Sequence, residues 1–113
     1  MMNNSQKDVI NRAVEFIKDK VSPDKIFLFG SYAKGTATQD SDLDFFIIQN
    51  TSVPKAKRSL PLYSLEKSKR IGVPIGIDFI VYTPQEFEAD KNRKNSLVEE
   101  IMRTGRLVYA KTA

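Results

Sequence analysis

The hydrophobic positions of the chain fall into blocks with different periods. Val9, Ile10, Ala13, Val14, Phe16 and Ile17 recur at helical spacing, which predicts an amphipathic helix over 6–19, with Ser5 and Asp8 as a capping box at its start. After a turn at Ser22-Pro23-Asp24, "KIFLFG" reads as a short strand buried on both faces and ending at Gly30. The polar stretch "SYAKGTATQDS" has room for one helical turn followed by loop. Asp42–Ile48 has the composition of a strand, and "VPIGIDFIVY" is a third strand-like run with Pro74 near its entrance. Thr83-Pro84-Gln85-Glu86 joins an N-cap, a proline at N1 and a glutamate at N3, which starts a short helix reaching about Asn92. A second helix from Ser96 to Thr104 is closed by Gly105 as a C′ residue, and "RLVYA" follows as a small edge strand. Residues 55–70 are ambiguous, because Leu60, Leu62 and Leu65 suggest a helix that Pro61 would break or restart.

The strands carry an anomaly. Residues two apart in a strand point the same way, so Asp42 and Asp44 share a side with Phe46 and Ile48, while Leu43, Phe45 and Ile47 face the opposite layer. In the third strand Ile75, Ile77, Phe79 and Val81 form one row, and Asp78 stands on the other between Gly76 and Ile80. If the two strands are neighbours, the three carboxylates converge. Clustered like charges raise one another's pKa and each ion bears a desolvation cost, a conflict that a divalent cation removes. Oxygen donors without sulfur or imidazole suit magnesium or manganese. The alternative is that these aspartates cap strand ends or pair with Lys and Arg on the surface. Gly30 and Ser31 supply a complementary half: a residue without Cβ, then a helical turn whose free N–H groups and hydroxyl face an anion. The same pair also suits an ordinary strand-to-helix turn. Neither a Walker A loop nor a Rossmann glycine fingerprint is present.

Composition narrows the chemistry further. With 113 residues the expectation is one domain, 1–113. No cysteine or histidine occurs, which excludes disulfides, thiolate sites, histidine-based zinc sites and histidine-dependent triads, and leaves general-base work to carboxylates. The net charge of +4 fits a polyanionic ligand such as a nucleotide without demanding nucleic acid. The basic run Lys55, Lys57, Arg58, Lys67, Lys69 and Arg70 reads as a solvated helix face, or else as a surface for triphosphate, an acidic partner or RNA; interleaved aromatics that would favour RNA are lacking. No apolar stretch approaches a membrane span and the start is not a signal peptide, so a cytoplasmic location is expected.

Gly30-Ser31, ten intervening residues, Asp42-x-Asp44 and Asp78 in a later strand together resemble the signature of the DNA polymerase beta-like nucleotidyltransferase superfamily. The nearest branch is its minimal nucleotidyltransferases, the MNT domains. The likeness is tight over 26–48 and looser through "IGIDFIVYTPQEF" and "LVEEIMRTGRLVYA". It implies an α+β fold, a small mixed sheet of polymerase-palm type backed by helices. By the same resemblance Asp42 and Asp44 bind the metal, and Asp78 is the third acidic ligand, aligned with the acceptor hydroxyl. Gly30 and Ser31 contact the phosphates, Lys34 is the basic contact after Gly-Ser, Mg2+ (or Mn2+) is the cofactor and ATP the substrate. Two readings are open for Tyr32 and Phe46: nucleobase neighbours, or a surface or boundary residue and a core residue respectively. Small members of the family are often encoded beside a helical HEPN protein that resembles a ribonuclease toxin. The MNT component then acts as antitoxin by transferring AMP to a tyrosine of that toxin. The sequence lacks the additional helical domain with which larger relatives recognise acceptors, so a partner protein is expected. Two alternatives stay open: transfer to a small hydroxylated molecule such as an aminoglycoside, with a homodimer completing the site, and a catalytically idle module that binds nucleotide or masks a partner.

Overall fold

The computed structural model describes residues 4–38, 41–72 and 76–112, the side chains of Leu65 and Ser68 excepted. Helix α1 (Asn4–Lys20) leads into strand β1 (Lys25–Phe29), the single turn α2 (Ser31–Lys34) and strand β2 (Leu43–Ile48). A crossover containing α3 (Leu65–Ile71) returns the chain to β3 (Ile77–Tyr82), followed by α4 (Pro84–Asp90), α5 (Leu97–Thr104) and β4 (Arg106–Ala110). The sheet order is β3-β2-β1-β4. β1 runs antiparallel to both β2 and β4, whereas β2 and β3 are parallel. The mixed sheet with helices on both faces is the α+β architecture expected.

Alternation along the strands divides the apolar residues between two layers. Ile26, Leu28, Leu43, Phe45, Ile47, Ile77, Phe79 and Val81 pack with Ile10, Ala13, Val14, Phe16 and Ile17 of α1. Ion pairs from Lys20 to Glu66 (2.9 Å) and from Arg70 to Asp19 (2.7 Å) tie α3 to α1 on this side. On the other face Phe46 and Ile48 pack with Val98 and Ile101 of α5, flanked by Phe27, Phe29, Ile80, Tyr82 and Phe87. The starts of α4 and α5 follow local chemistry closely. Thr83 and Glu86 form both hydrogen bonds of a capping box with Pro84 at N1, and the Ser96 hydroxyl accepts from the Glu99 amide.

Several local expectations are corrected. Ser5 lies inside α1, which already includes Asn4, so it does not cap the helix; Asp8 pairs instead with Arg12 one turn on. Residues 55–70 are neither one α-helix nor two: two 3₁₀ turns, Lys55–Lys57 and Leu60–Leu62, precede α3, and Pro61 sits in the first turn of the second. Gly105 is extended (φ −71°, ψ 159°) rather than left-handed. Its need for glycine is steric, since a Cβ there would lie 2.6 Å from the carbonyl oxygen of Ile101. α4 stops at Asp90, short of Asn92. The third strand is described only from Ile77, and the expected contributions of Val73, Pro74 and Ile75 fall outside the described residues.

Part of the basic run is used for internal packing. Arg58, nearly enclosed, donates to the carbonyls of Val53 and Val81 and pairs with Glu86 at 2.6 Å. Lys55 lies over the Tyr82 ring, Lys67 over the Tyr63 ring, and Arg70 joins Asp19 and Glu66. The expected continuous helix face is therefore broken into separate tethers, while Lys57 and Lys69 are solvent-exposed as expected. With Arg58, the Tyr63 hydroxyl, which accepts from the Phe79 amide (2.9 Å), also covers the outer edge of β3. Among the described residues, no helix is long and apolar enough to cross a membrane.

Candidate active site

The register of the sheet decides where the three aspartates meet. Asp44 stands in a central strand, opposite Phe29 of β1 on one side and opposite Asp78 of β3 on the other. Asp42 precedes β2, and the hydrogen bond from the Leu43 amide to the Gly76 carbonyl (2.9 Å) holds it beside the entrance to β3. All three lie at the end of the sheet where β1 stops and β2 and β3 begin. The alternation that puts Phe46 and Ile80 in the α4/α5 layer turns Asp44 and Asp78 to that same side. Asp42 and Asp78 are exposed and Asp44 is half-buried.

Electrostatics follow from that placement. Burial raises the pKa of Asp44 above the usual carboxylate range, and the negative charges of Asp78 and then Asp42 push it the same way. The side chain of Asp78, the register partner of Asp44 across the parallel strands, adds further to the rise. Among the described residues, no Lys or Arg forms an ion pair with any of the three, which removes the surface-bridge alternative for this set. Nor, among the described residues, is any group of three or more Asp, Glu, His or Cys side chains gathered as it stands to hold a metal ion. The donors are therefore neighbours rather than a closed cage.

Gly30 adjoins this cluster. It caps α2 with φ +74° and ψ −153°, a conformation that L side chains rarely adopt. A Cβ there would lie 2.5 Å from Oδ2 of Asp44, so the space beside Gly30 belongs to a carboxylate. Glycine is therefore required here by the Asp44 carboxylate as well as by the backbone. Ser31 opens α2, and the chain turns out again through Gly35 in the left-handed region. Lys34 ends the turn with its ammonium 3.5 Å from a Glu100 carboxylate oxygen on α5, both side chains well exposed. Tyr32 is buried in the α1 layer, which corrects its reading as a surface or boundary residue, and Phe46 is core.

Sequence reasoning missed two participants. Gly76 lies against the Asp42 carboxylate, and Glu100 holds Lys34. Gly76 was detectable in principle, two residues before Asp78, but only with the parallel pairing of β2 and β3 in hand. Nothing in the sequence connects Glu100 to Lys34.

A family model described as a nucleotidyltransferase domain matches residues 10–111. A Methanocaldococcus jannaschii protein named for protein adenylyltransferase activity is 39% identical over 41 residues, 36% of this chain and 41% of that relative. Among solved structures, a chain of a toxin–antitoxin crystal structure with AMP-PNP superposes with a TM-score of 0.61 at 18% identity, covering 97% of this chain and 76% of that one. A chain from the complex of tri-AMPylated Shewanella oneidensis HEPN toxin with MNT antitoxin gives 0.55 at 15% identity, covering 95% and 73%. At such identities the superpositions establish the shared fold.

Proposed function

The chain belongs to the nucleotidyltransferase domain family, and from that membership we propose that it transfers AMP from ATP to a tyrosine hydroxyl of a HEPN-type toxin, as the antitoxin of the pair. The observation that carries the reading is Asp44 facing Asp78 across parallel strands, with Asp42 beside them and Gly30-Ser31 at the adjoining turn. The structures of similar fold that contain an ATP analogue or an AMPylated toxin lend support.

The donor set fits a divalent cation. Every candidate ligand is a carboxylate, and Asp44 already carries an electrostatic load that a cation relieves. Asp42, Asp44 and Asp78 would hold Mg2+ or Mn2+. Such an ion, when bound, neutralises triphosphate charge and eases deprotonation of the attacking hydroxyl.

The remaining work falls to the chain itself. Asp78, exposed at the rim, accepts the tyrosine proton on a carboxylate oxygen. The tyrosine oxygen bonds to the α-phosphorus as the bond to the bridging oxygen of the β-phosphate breaks, and pyrophosphate departs with that electron pair. Ser31 donates its hydroxyl and the amides of its turn to the departing phosphates, and Lys34 exchanges Glu100 for the same charge. The test is purified protein with Mg2+ and ATP labelled at the α-phosphate, with and without the HEPN protein encoded alongside. Label is expected on that protein and is lost in Asp42→Asn and Asp44→Asn. Label on neither polypeptide, with a stable complex still formed, would replace this reading with a masking antitoxin. Label on an added aminoglycoside would replace it with a small-molecule transferase.

A further inference from the structure

Gly76 precedes β3 and has no place in the chemistry above, yet its surroundings are unusual. A Cβ built on it would fall onto the Asp42 carboxylate, meeting Oδ1 and, at 2.8 Å, Cγ. Contacts that short do not occur between real side chains, so any residue larger than glycine would displace Asp42. The Gly76 carbonyl accepts the Leu43 amide, a bond that alanine would keep. A neighbour's side chain thus occupies the space that any other residue's Cβ would need.

We infer that Gly76 is a positioning residue that seats Asp42 against the start of β3, and so sets this carboxylate within reach of an ion shared with Asp44 and Asp78. The inference rests on the metal-dependent reading of the site. Gly30 does the equivalent for Asp44, but there the positive φ would confound any substitution. At Gly76 the comparison with an Asp42→Ala background isolates the steric effect. With its Cβ position filled, Asp42 must rotate outward, where it is already exposed and has room to go. The fold is left intact and the ion loses one ligand.

The experiment measures binding of Mn2+ alone to the purified full chain, by the electron paramagnetic resonance signal of the free ion, alongside the thermal midpoint. Gly76→Ala is expected to weaken Mn2+ binding about tenfold or more, the range typical when the support of a metal ligand is removed, with an unchanged midpoint. In an Asp42→Ala background, Gly76→Ala is expected to change nothing further. An equal loss in both backgrounds, or no loss in the wild-type background, would overturn the inference while leaving the metal reading standing. If Gly76→Ala alone fails to fold, recovery of the midpoint in the Asp42→Ala double variant supports the inference, and no recovery overturns it. Wild-type protein that binds no Mn2+ would remove the metal reading and this inference together.

Discussion

The two faces of the sheet are built from the same strands and put to different uses. On the α1 side every inward position of β1, β2 and β3 is apolar, and the layer closes over Phe45, Phe79 and Phe16 without a break. On the α4/α5 side the alternate residues of the same strands split by position. Phe46, Ile48 and Ile80 pack at one end, whereas Asp44 and Asp78 stand at the other. Among the described residues, the buried members of the smaller layer are Phe46, Ile48, Val98 and Ile101, edged by Phe27, Phe29, Tyr82 and Phe87, which remain partly exposed. Among the described residues, most of the buried apolar side chains thus belong to one face, and three like charges stand at the open end of the other.

Adjacent residues of β2 test the division most sharply. Phe45 and Phe46 are both fully buried but point to opposite faces. Truncating a buried phenylalanine to alanine costs about 3–5 kcal/mol, depending on how far the surroundings collapse. Phe45 stacks on Phe79 within the larger cluster, where little can move in. Phe46 meets Tyr82, Phe87 and Phe27, all at the margin and able to shift. Denaturant unfolding is expected to place Phe45→Ala near the upper end of that range and Phe46→Ala near the lower. The reverse order would mean that the α4/α5 layer is the stiffer one.

Asp44→Asn should separate stability from activity. Asparagine keeps the size and hydrogen-bonding capacity of the side chain and removes one of three crowded charges. AMP transfer is expected to fall at least ~100-fold, while the thermal midpoint in metal-free buffer stays level or rises. A midpoint lowered by about 4 °C, equivalent to about 1 kcal/mol in a domain of this size, would instead make Asp44 a structural residue.

The features legible in the sequence were those governed by short-range periodicity. The opposite facing of Leu43, Phe45 and Ile47 against Asp44, Phe46 and Ile48, and the capping box at Thr83, depend on spacings of two and three residues, and both are present as expected. What required tertiary information was less accessible. Parallel pairing of β2 with β3 sets Asp44 opposite Asp78, and no local pattern distinguishes it from the antiparallel alternative. Arg58 looks like one charge in a basic run until Glu86 and two carbonyls enclose it. Gly105 has the sequence position of a left-handed helix cap, but the crowding carbonyl of Ile101 is what excludes a side chain. Tyr32 lies in a polar stretch and is buried because the turn of α2 directs it beneath β1 and α1.

The smallest effect concerns the ionic tethers of the two faces. Hydrogen bonding from Arg58, with further help from the Thr83 amide, holds the Glu86 carboxyl below the usual glutamate range. On the opposite face a hydrogen bond from Lys20 lowers Glu66 in the same direction. A carboxyl whose folded pKa is depressed stabilises the native state above its ordinary value, and that contribution disappears as pH falls through the ordinary value toward the depressed one. Glu86→Gln and Glu66→Gln should therefore each flatten the acid limb of a plot of thermal midpoint against pH, their differences from wild type being largest near neutrality and shrinking below about pH 4. Salt then distinguishes the pair. The Arg58 side chain is only 9% exposed, against 28% for Lys20, and enclosed charges are screened less. At about 1 M NaCl the Glu66→Gln difference is expected to vanish and the Glu86→Gln difference to persist. Equal loss of both would place the Arg58–Glu86 contact in solvent like any surface pair and remove it as the clamp between the crossover, β3 and α4.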